Sequence, residues 1–392
     1  MYIACMVSTP LIVIGILVVF SYLFDIVARR TKFPAVVMLL ALGIGLQYPV
    51  YYFGLDTPDF TAILPLLGTI GLILIVLEGA LELDFEREKL RMMRQSLGSA
   101  LFILLATTLG ITGIFYYSTG APFMQCFLNA VPFSVISSAI AIPSVSKLVQ
   151  SKKEFIIYES TFSDILGIML FNFALVNEVV NFKSVMFLGW QILGIAVIAV
   201  VLCLLLLYVL GRLTHHVKFF LIISIILLIY GIGKKLHLPT LLIVLAFGLL
   251  LRNADLINLK WFKKHFIYKT LNEDLQQLSQ LTAESAFLAR TFFFLLFGFT
   301  MDVNSLLNAE VWYIGLPVIA AIYAVRALYL RGVLNRLIPE FFIAPRGLIT
   351  VLLMFSIPET QRLSQVSNGV VFLVILASSL MIVAGTVTSK KQ

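Results

Sequence analysis

Residues 158–167 read YESTFSDILG and place two carboxylates, Glu159 and Asp164, inside an otherwise apolar run. An ionisable side chain at bilayer depth is costly, so Asp164 is a functional-site hypothesis from the start. Residues four apart share a face of a helix, so Ser160 lies in line with Asp164, and Ser163 in line with Glu159. The stretch therefore predicts a membrane helix that carries two neighbouring polar stripes.

The composition of the chain predicts a protein whose solvent is lipid. Of its 392 residues, 60% are hydrophobic and 12% are charged, against about 25% charged residues in soluble domains. Apolar segments of about 20 residues, the length that crosses a bilayer, recur along the sequence. The predicted spans are 10–28, 34–53, 62–82, 96–118, 122–149, 153–181, 184–211, 216–233, 238–252, 279–302, 309–330, 340–357 and 367–388.

Lysine and arginine are distributed unevenly between the two sides of this predicted membrane protein. Of the 28 such residues, 21 lie on the side reached after odd-numbered spans and 4 lie on the opposite side. Basic residues favour the cytoplasmic side, so the split predicts an external N-terminus and a cytoplasmic C-terminus in a multi-pass protein of the cell (inner) membrane. It also explains the net charge of +8 without nucleic acid as a partner.

Two spans carry an internal proline among small or polar residues. The fifth contains SSAIAIPS at residues 137–144, and the twelfth contains IAPRGL at residues 343–348. Six spans, one linker span and six further spans make two units of opposite orientation, and Pro143 and Pro345 break the fifth helix of each unit. Interrupted helices at matching positions of inverted repeats indicate the midplane site of a transporter. We therefore predict an all-α fold of about thirteen transmembrane helices, with two inverted six-helix repeats and crossing broken helices.

Depth along the predicted spans separates the two carboxylates. At 1.5 Å per residue, Glu159 lies about 9 Å and Asp164 about 16 Å from the cytoplasmic end of the sixth span. Arg326 and Arg346 lie at about 7 and 9 Å in their own spans, which matches the depth of Glu159. We therefore predict a structural ion pair between Glu159 and these arginines. Asp164, which has no such partner, is expected to carry a proton or a monovalent metal cation.

The sequence around these carboxylates resembles the Glu-Ser-x-x-Asn-Asp motif of electroneutral sodium/proton antiporters in the monovalent cation–proton antiporter superfamily. The resemblance implies that Asp164 binds the ion and that Ser160 helps to coordinate it. It also implies that Glu159 pairs with an arginine of the eleventh helix, which matches Arg326 in this sequence.

Further motifs extend the resemblance over essentially the whole chain. The Arg-Gly pair at 346–347 resembles that of the family's twelfth, crossing helix, and Phe292-Phe293-Phe294 with Gly298 and Asp302 is similar to its tenth helix. The resemblance implies a homodimer with a scaffold and an ion-transporting core. The expected division is scaffold and dimerisation helices at 1–95 and 213–302, core helices at 96–182 and 303–392, and a linker helix at 183–212.

The sequence departs from the family motif at two places. Ser163 stands where the family has Asn, or the first Asp of electrogenic relatives. Ala141-Ile142-Pro143 replaces Thr-Asp-Pro in the fifth helix, so a cation ligand is missing at Ile142, and the preceding serines resemble the potassium-efflux (Kef-type) branch. The expected ion-binding residues are Asp164, Ser160, Ser163 and Ala141.

These features predict a secondary active transporter that exchanges a monovalent cation, Na⁺ before K⁺, for H⁺ in an electroneutral 1:1 cycle through Asp164. Two alternatives stay open: a Kef-like K⁺/H⁺ antiporter and a cation channel with an acidic constriction. An intramembrane hydrolase is disfavoured because the sequence has no His-Glu-x-x-His motif and no pair of midplane aspartates. No cofactor is expected beyond the transported ions.

Overall fold

A computed structural model of the chain consists of helices and short connecting turns, with no β-strand among the residues that it describes. The described residues are 35–52, 63–83, 89–145, 148–177, 182–212, 218–235, 240–256, 271–334 and 338–388, with isolated positions within 15–27 and 260–266. About half of the predicted first span, 10–28, lies outside these residues, and so do many of the loop lysines and arginines behind the predicted orientation.

The α-helices are numbered α1 to α13 in chain order. They are Ala35–Tyr52, Ile63–Glu82, Leu90–Thr119, Phe123–Ser134, Ser138–Ser144, Gln150–Val176, Phe182–Arg212, Lys218–Lys235, Thr240–Arg252, Leu271–Thr300, Ala309–Tyr329, Leu348–Ser356 and Asn368–Thr388. A π-helical turn, Leu330–Leu334, continues α11. Lipid offers no hydrogen-bond partners to backbone N–H and C=O groups, whereas a helix pairs these groups within itself. Long apolar segments in a membrane are therefore helical.

Six helical segments of the described chain are long and apolar enough to cross a bilayer. They are Leu90–Thr119, Phe123–Ser144, Gln150–Val176, Leu271–Thr300, Ala309–Val333 and Asn368–Gly385. Shorter apolar helices lie at Ala35–Val50, Val197–Tyr208 and Ile243–Arg252. The prediction of an all-helical, multi-pass membrane protein is confirmed, whereas the count of thirteen spans and the inverted repeats stay predictions.

The helices pack in two main groups. In one group, α10 packs along α1 and α2, and α9 packs against α2 and α7. In the other, α3 packs against α4, α6 and α11, and α11 packs against α13. Contacts of α2 with α6 and α12 join the groups. The predicted division into scaffold, core and linker stays a prediction.

The breaks in the two interrupted segments differ from those predicted. The prediction that Pro143 breaks the fifth span is wrong, because the helix is interrupted at residues 135–137 and Pro143 lies inside α5. The prediction for Pro345 is closer, since residues 343–347 are not helical and α12 begins only at Leu348. The tenth span starts at Leu271, eight residues before the predicted 279.

Candidate functional site

The interruption between α4 and α5 is held by two side chains of α6. Ser163 Oγ accepts a hydrogen bond from the Ile136 N–H at 2.9 Å, and Asp164 Oδ2 accepts one from the Ser138 N–H at 3.2 Å. These N–H groups lie at the break, where a regular helix no longer supplies acceptors. Backbone groups at membrane depth need partners, so the last two residues of the sequence motif hold the break in place.

The second broken segment supplies further partners for the first. The Ser137 N–H donates to the Pro345 carbonyl at 2.8 Å. In the opposite direction, Arg346 Nε donates to the Phe133 carbonyl at 2.7 Å, and Arg346 Nη2 donates to the Ser134 carbonyl at 3.2 Å. These two carbonyls end α4, where the helix dipole favours a positive charge. The two broken segments therefore bind each other through one backbone hydrogen bond and through the guanidinium of Arg346.

Asp164 is the carboxylate at this interruption that has an oxygen without a hydrogen-bond partner. Its side chain is buried, with the residue 4% exposed. Oδ1 has no hydrogen-bond partner, whereas Oδ2 binds the Ser138 N–H and the carboxylate also interacts with the Ser138 hydroxyl. No lysine or arginine of the described chain forms an ion pair with Asp164. A buried carboxylate in these surroundings is stable when it holds a proton or a cation.

In the described part of the chain, the other predicted ion ligands, Ser160 and Ala141, have no observed contact with an ion site. Ser160 is fully buried and lies one helical turn before Asp164, but its hydroxyl donates to the Ile157 carbonyl at 3.2 Å. Ala141 is also fully buried, and its side chain packs in an apolar cluster with Ile156 and Ile343. The side chain of Ala141 has no polar atom, so only its backbone could contribute to an ion site.

Glu159 is committed to a buried ion pair. Arg326 Nη2 lies 2.8 Å from Glu159 Oε2, and Ser99 Oγ donates to Glu159 Oε1 at 2.5 Å. Both partners of the ion pair are essentially inaccessible to solvent. Arg326 also donates to the Glu340 carbonyl at 2.8 Å and to the Ile343 carbonyl at 3.0 Å. The pair therefore joins α6 and α11 to the segment that precedes α12.

Arg346 does not share this ion pair as the sequence predicted. Its guanidinium donates to the carbonyls of Phe133, Ser134 and Ala344, and none of its hydrogen bonds reaches Glu159. Depth along a predicted span does not say which way a side chain points around the axis of its segment. Arg346 therefore interacts with Glu159 only through electrostatics, and its hydrogen bonds go to carbonyls at the interruption between α4 and α5 and to Ala344.

The sequence matches one known protein family over nearly its whole length. The family model described as "Sodium/hydrogen exchanger, transmembrane" matches residues 15–389. The chain belongs to the sodium/hydrogen exchanger family. No match was found among curated protein sequences.

Solved structures show that the fold is also that of an exchanger. The chain is similar to the sodium proton antiporter MjNhaP1 from Methanocaldococcus jannaschii at pH 8, with a TM-score of 0.72 and 20% identity over 98% of this chain and 99% of that one. A second structure of MjNhaP1, from electron microscopy, matches with a TM-score of 0.69 and 20% identity over 98% and 96% of the two chains. The family and its neighbours are transporters rather than enzymes, and they support cation/proton antiport by this chain.

Sequence reasoning missed several residues that complete the exchanger's site. Ser99 holds Glu159, and Ser96, three residues earlier on α3, donates to the Phe155 carbonyl at 3.3 Å. Two serines spaced by three on one apolar helix were a readable signal, because this spacing puts both on one face. Ser138 was quoted as part of a motif but was not recognised as a partner of Asp164, since that contact joins residues 26 positions apart.

Proposed function

We propose that this exchanger-family chain carries one monovalent cation in exchange for one proton, and that Asp164 is the carrier. The observation that carries the proposal is the contrast between two buried carboxylates on α6. Glu159 has both oxygens engaged by Ser99 and Arg326, whereas Asp164 Oδ1 has no partner. A carboxylate that is fixed to an arginine exchanges ions poorly, and one without a fixed counter-charge can accept them.

The stoichiometry follows from charge balance at one carboxylate. Asp164 is neutral when it holds one proton and equally neutral when it holds one monovalent cation. The reorienting carrier then has the same charge in both directions, because the Glu159–Arg326 pair is itself neutral. Exchange at 1:1 therefore moves no net charge across the membrane.

The contact between the two broken segments suits an alternating-access carrier. Asp164 binds the backbone at Ser138, and Arg346 and Pro345 bind the same interruption from the other side. Ion binding at the Asp164 carboxylate would thus affect the hydrogen bonds of both broken segments, which belong to the predicted core. We further propose a homodimer in the cell membrane with its N-terminus outside, as the resemblance and the distribution of basic residues indicate.

Sodium is the first candidate for the cation. The two solved relatives are described as sodium proton antiporters, and Asp164 and Ser163 are oxygen-bearing residues suited to a hard cation. One observation favours potassium as the second candidate. Ile142 is an apolar residue where the electroneutral group carries an acid. The site therefore has fewer charged ligands to replace the hydration shell of the ion, and this loss is greater for the more strongly hydrated Na⁺ than for K⁺.

Ion-dependent proton flux in proteoliposomes tests the proposal. A pH-sensitive dye inside the vesicles should report proton movement after addition of Li⁺, Na⁺, K⁺ or Rb⁺, with Na⁺ expected to be most effective. Asp164→Asn should abolish the flux in a folded protein, and Glu310→Gln, which changes an exposed acid on α11, is the matched control. Exchange that survives in Asp164→Asn would overturn the carrier assignment, and cation flux without proton counter-flux would indicate a channel.

A further inference from the structure

One carbonyl of α5 loses its helical partner because of Pro143. In an α-helix the carbonyl of residue i accepts from the N–H of residue i+4, so the Ala139 carbonyl would accept from residue 143. Proline has no N–H and leaves that carbonyl free. A free backbone carbonyl at membrane depth requires another donor. The sequence of α5 thus creates a vacant acceptor next to Ser138, which binds Asp164.

Arg290 of α10 supplies this donor. Its Nη1 donates to the Ala139 carbonyl at 3.1 Å, across 151 positions of sequence. Arg290 also interacts electrostatically with Glu78 and Glu82, which lie one turn apart on α2. The guanidinium therefore binds the carbonyl of α5 and interacts with the two acids of α2 through electrostatics. Arg290 is directed into the protein rather than towards the membrane surface.

We propose that Arg290 is a positioning residue for the ion site, because its hydrogen bond replaces the one that Pro143 removes and keeps α5 in register with Asp164. The inference rests on the proposed function of Asp164 as the carrier. Ala139 adjoins Ser138, so a shift of the Ala139 carbonyl also moves the Ser138 N–H, which donates a hydrogen bond to Asp164. The bond also links α10, which packs with α1 and α2, to α5, which packs against α6.

The proposal predicts that Arg290 matters only while residue 143 lacks an N–H. Arg290→Met should raise the half-saturating cation concentration for antiport about tenfold, the factor expected for loss of one hydrogen bond from a charged donor. Pro143→Ala returns an N–H to the helix, so the same Arg290→Met change should then alter the cation affinity by less than about twofold. Pro132→Ala, which changes the proline inside α4, is the matched control and should not rescue.

Hydrogen exchange gives a second readout that does not depend on transport. Arg290→Met should speed amide exchange in peptides that cover residues 135–142, and Pro143→Ala should reverse this change, because the carbonyl has regained a donor. If Arg290→Met does not fold, Arg290→Gln takes its place. Glutamine keeps a polar group near Glu78 and Glu82, but its side chain is too short to reach the Ala139 carbonyl. The same loss of cation affinity and the same rescue by Pro143→Ala are therefore expected.

The outcomes separate this inference from the proposed function. Absence of cation-dependent proton flux in the unchanged protein would reject the carrier proposal itself. Normal flux together with unchanged affinity and exchange in Arg290→Met would overturn the positioning role. An equal loss of affinity with and without Pro143→Ala would also overturn it, because Arg290 would then act through its charge alone. Rescue by Pro143→Ala but not by Pro132→Ala is the result expected.

Discussion

The buried ion pair between Glu159 and Arg326 makes the sharpest stability prediction. Arg326→Met keeps a long apolar side chain but removes the charge and three hydrogen bonds, to Glu159 Oε2 and to the carbonyls of Glu340 and Ile343. Glu159 would retain only the hydrogen bond from Ser99. Both side chains of the pair are fully shielded from solvent, so the remaining carboxylate could not be rehydrated without opening the fold.

The expected loss of stability is large because one buried charge is left without its partner. Breaking a buried pair by removal of one member costs about 3–5 kcal/mol, and each carbonyl that loses its donor adds about 1 kcal/mol. Glu159→Gln introduced together with Arg326→Met removes the uncompensated charge. We expect the double variant to recover most of the cost of the broken pair but not the cost of the two carbonyls.

Reversible unfolding in mixed micelles measures both quantities as free energies of unfolding. Arg331→Met is the matched control, because Arg331 is exposed on the π-helical turn that follows α11; its effect should lie within about 0.5 kcal/mol. The reasoning is refuted if Arg326→Met is as stable as Arg331→Met. It is equally refuted if the double variant is no more stable than Arg326→Met alone.

Three further predictions concern topology, the break before α5 and pH. In a chain without native cysteines, Thr57→Cys and His265→Cys should react with an impermeant reagent from opposite sides of the membrane, and same-side labelling would reject the span count. Ser163→Ala leaves the buried Ile136 N–H without its acceptor, so the free energy of unfolding should fall by about 1–3 kcal/mol; an unchanged value would show that another group accepts this bond. Because a proton and a cation compete for Asp164, the half-saturating cation concentration should rise as pH falls, by up to about tenfold per pH unit once the protonated form predominates. Transport kinetics over a pH series check this, and a steeper dependence would indicate more than one competing proton.

The helical membrane fold and the Glu159–Arg326 contact were within reach of the sequence. Long apolar runs have few alternatives to helices in lipid, and span order with the rise per residue places a side chain along the membrane normal. That information brought Arg326 to the depth of Glu159, where the structure finds it. It also brought Arg346 to the same depth, although Arg346 instead binds the carbonyls that end α4.

The position of the break in the fifth span was beyond local sequence rules. A proline predicts an interruption near itself, but Arg290 binds the carbonyl that Pro143 frees, and Pro143 lies inside α5, which ends at Ser144. The real interruption lies where Ser163 and Asp164 accept backbone hydrogen bonds. These partners are far apart in sequence, so only the packed structure shows that the chain can stop being helical at residues 135–137.

Transport under an imposed membrane potential tests the single-carboxylate mechanism most directly. Proteoliposomes with a potassium gradient and valinomycin would set the potential, and Na⁺ or Li⁺ would be the transported cation. The ion scan first establishes that potassium is not a substrate. If Asp164 alone exchanges one cation for one proton, the initial rate should be the same at positive, zero and negative potentials. A rate that follows the potential would contradict the account, because a second titrating group, such as Glu78, would then also carry charge.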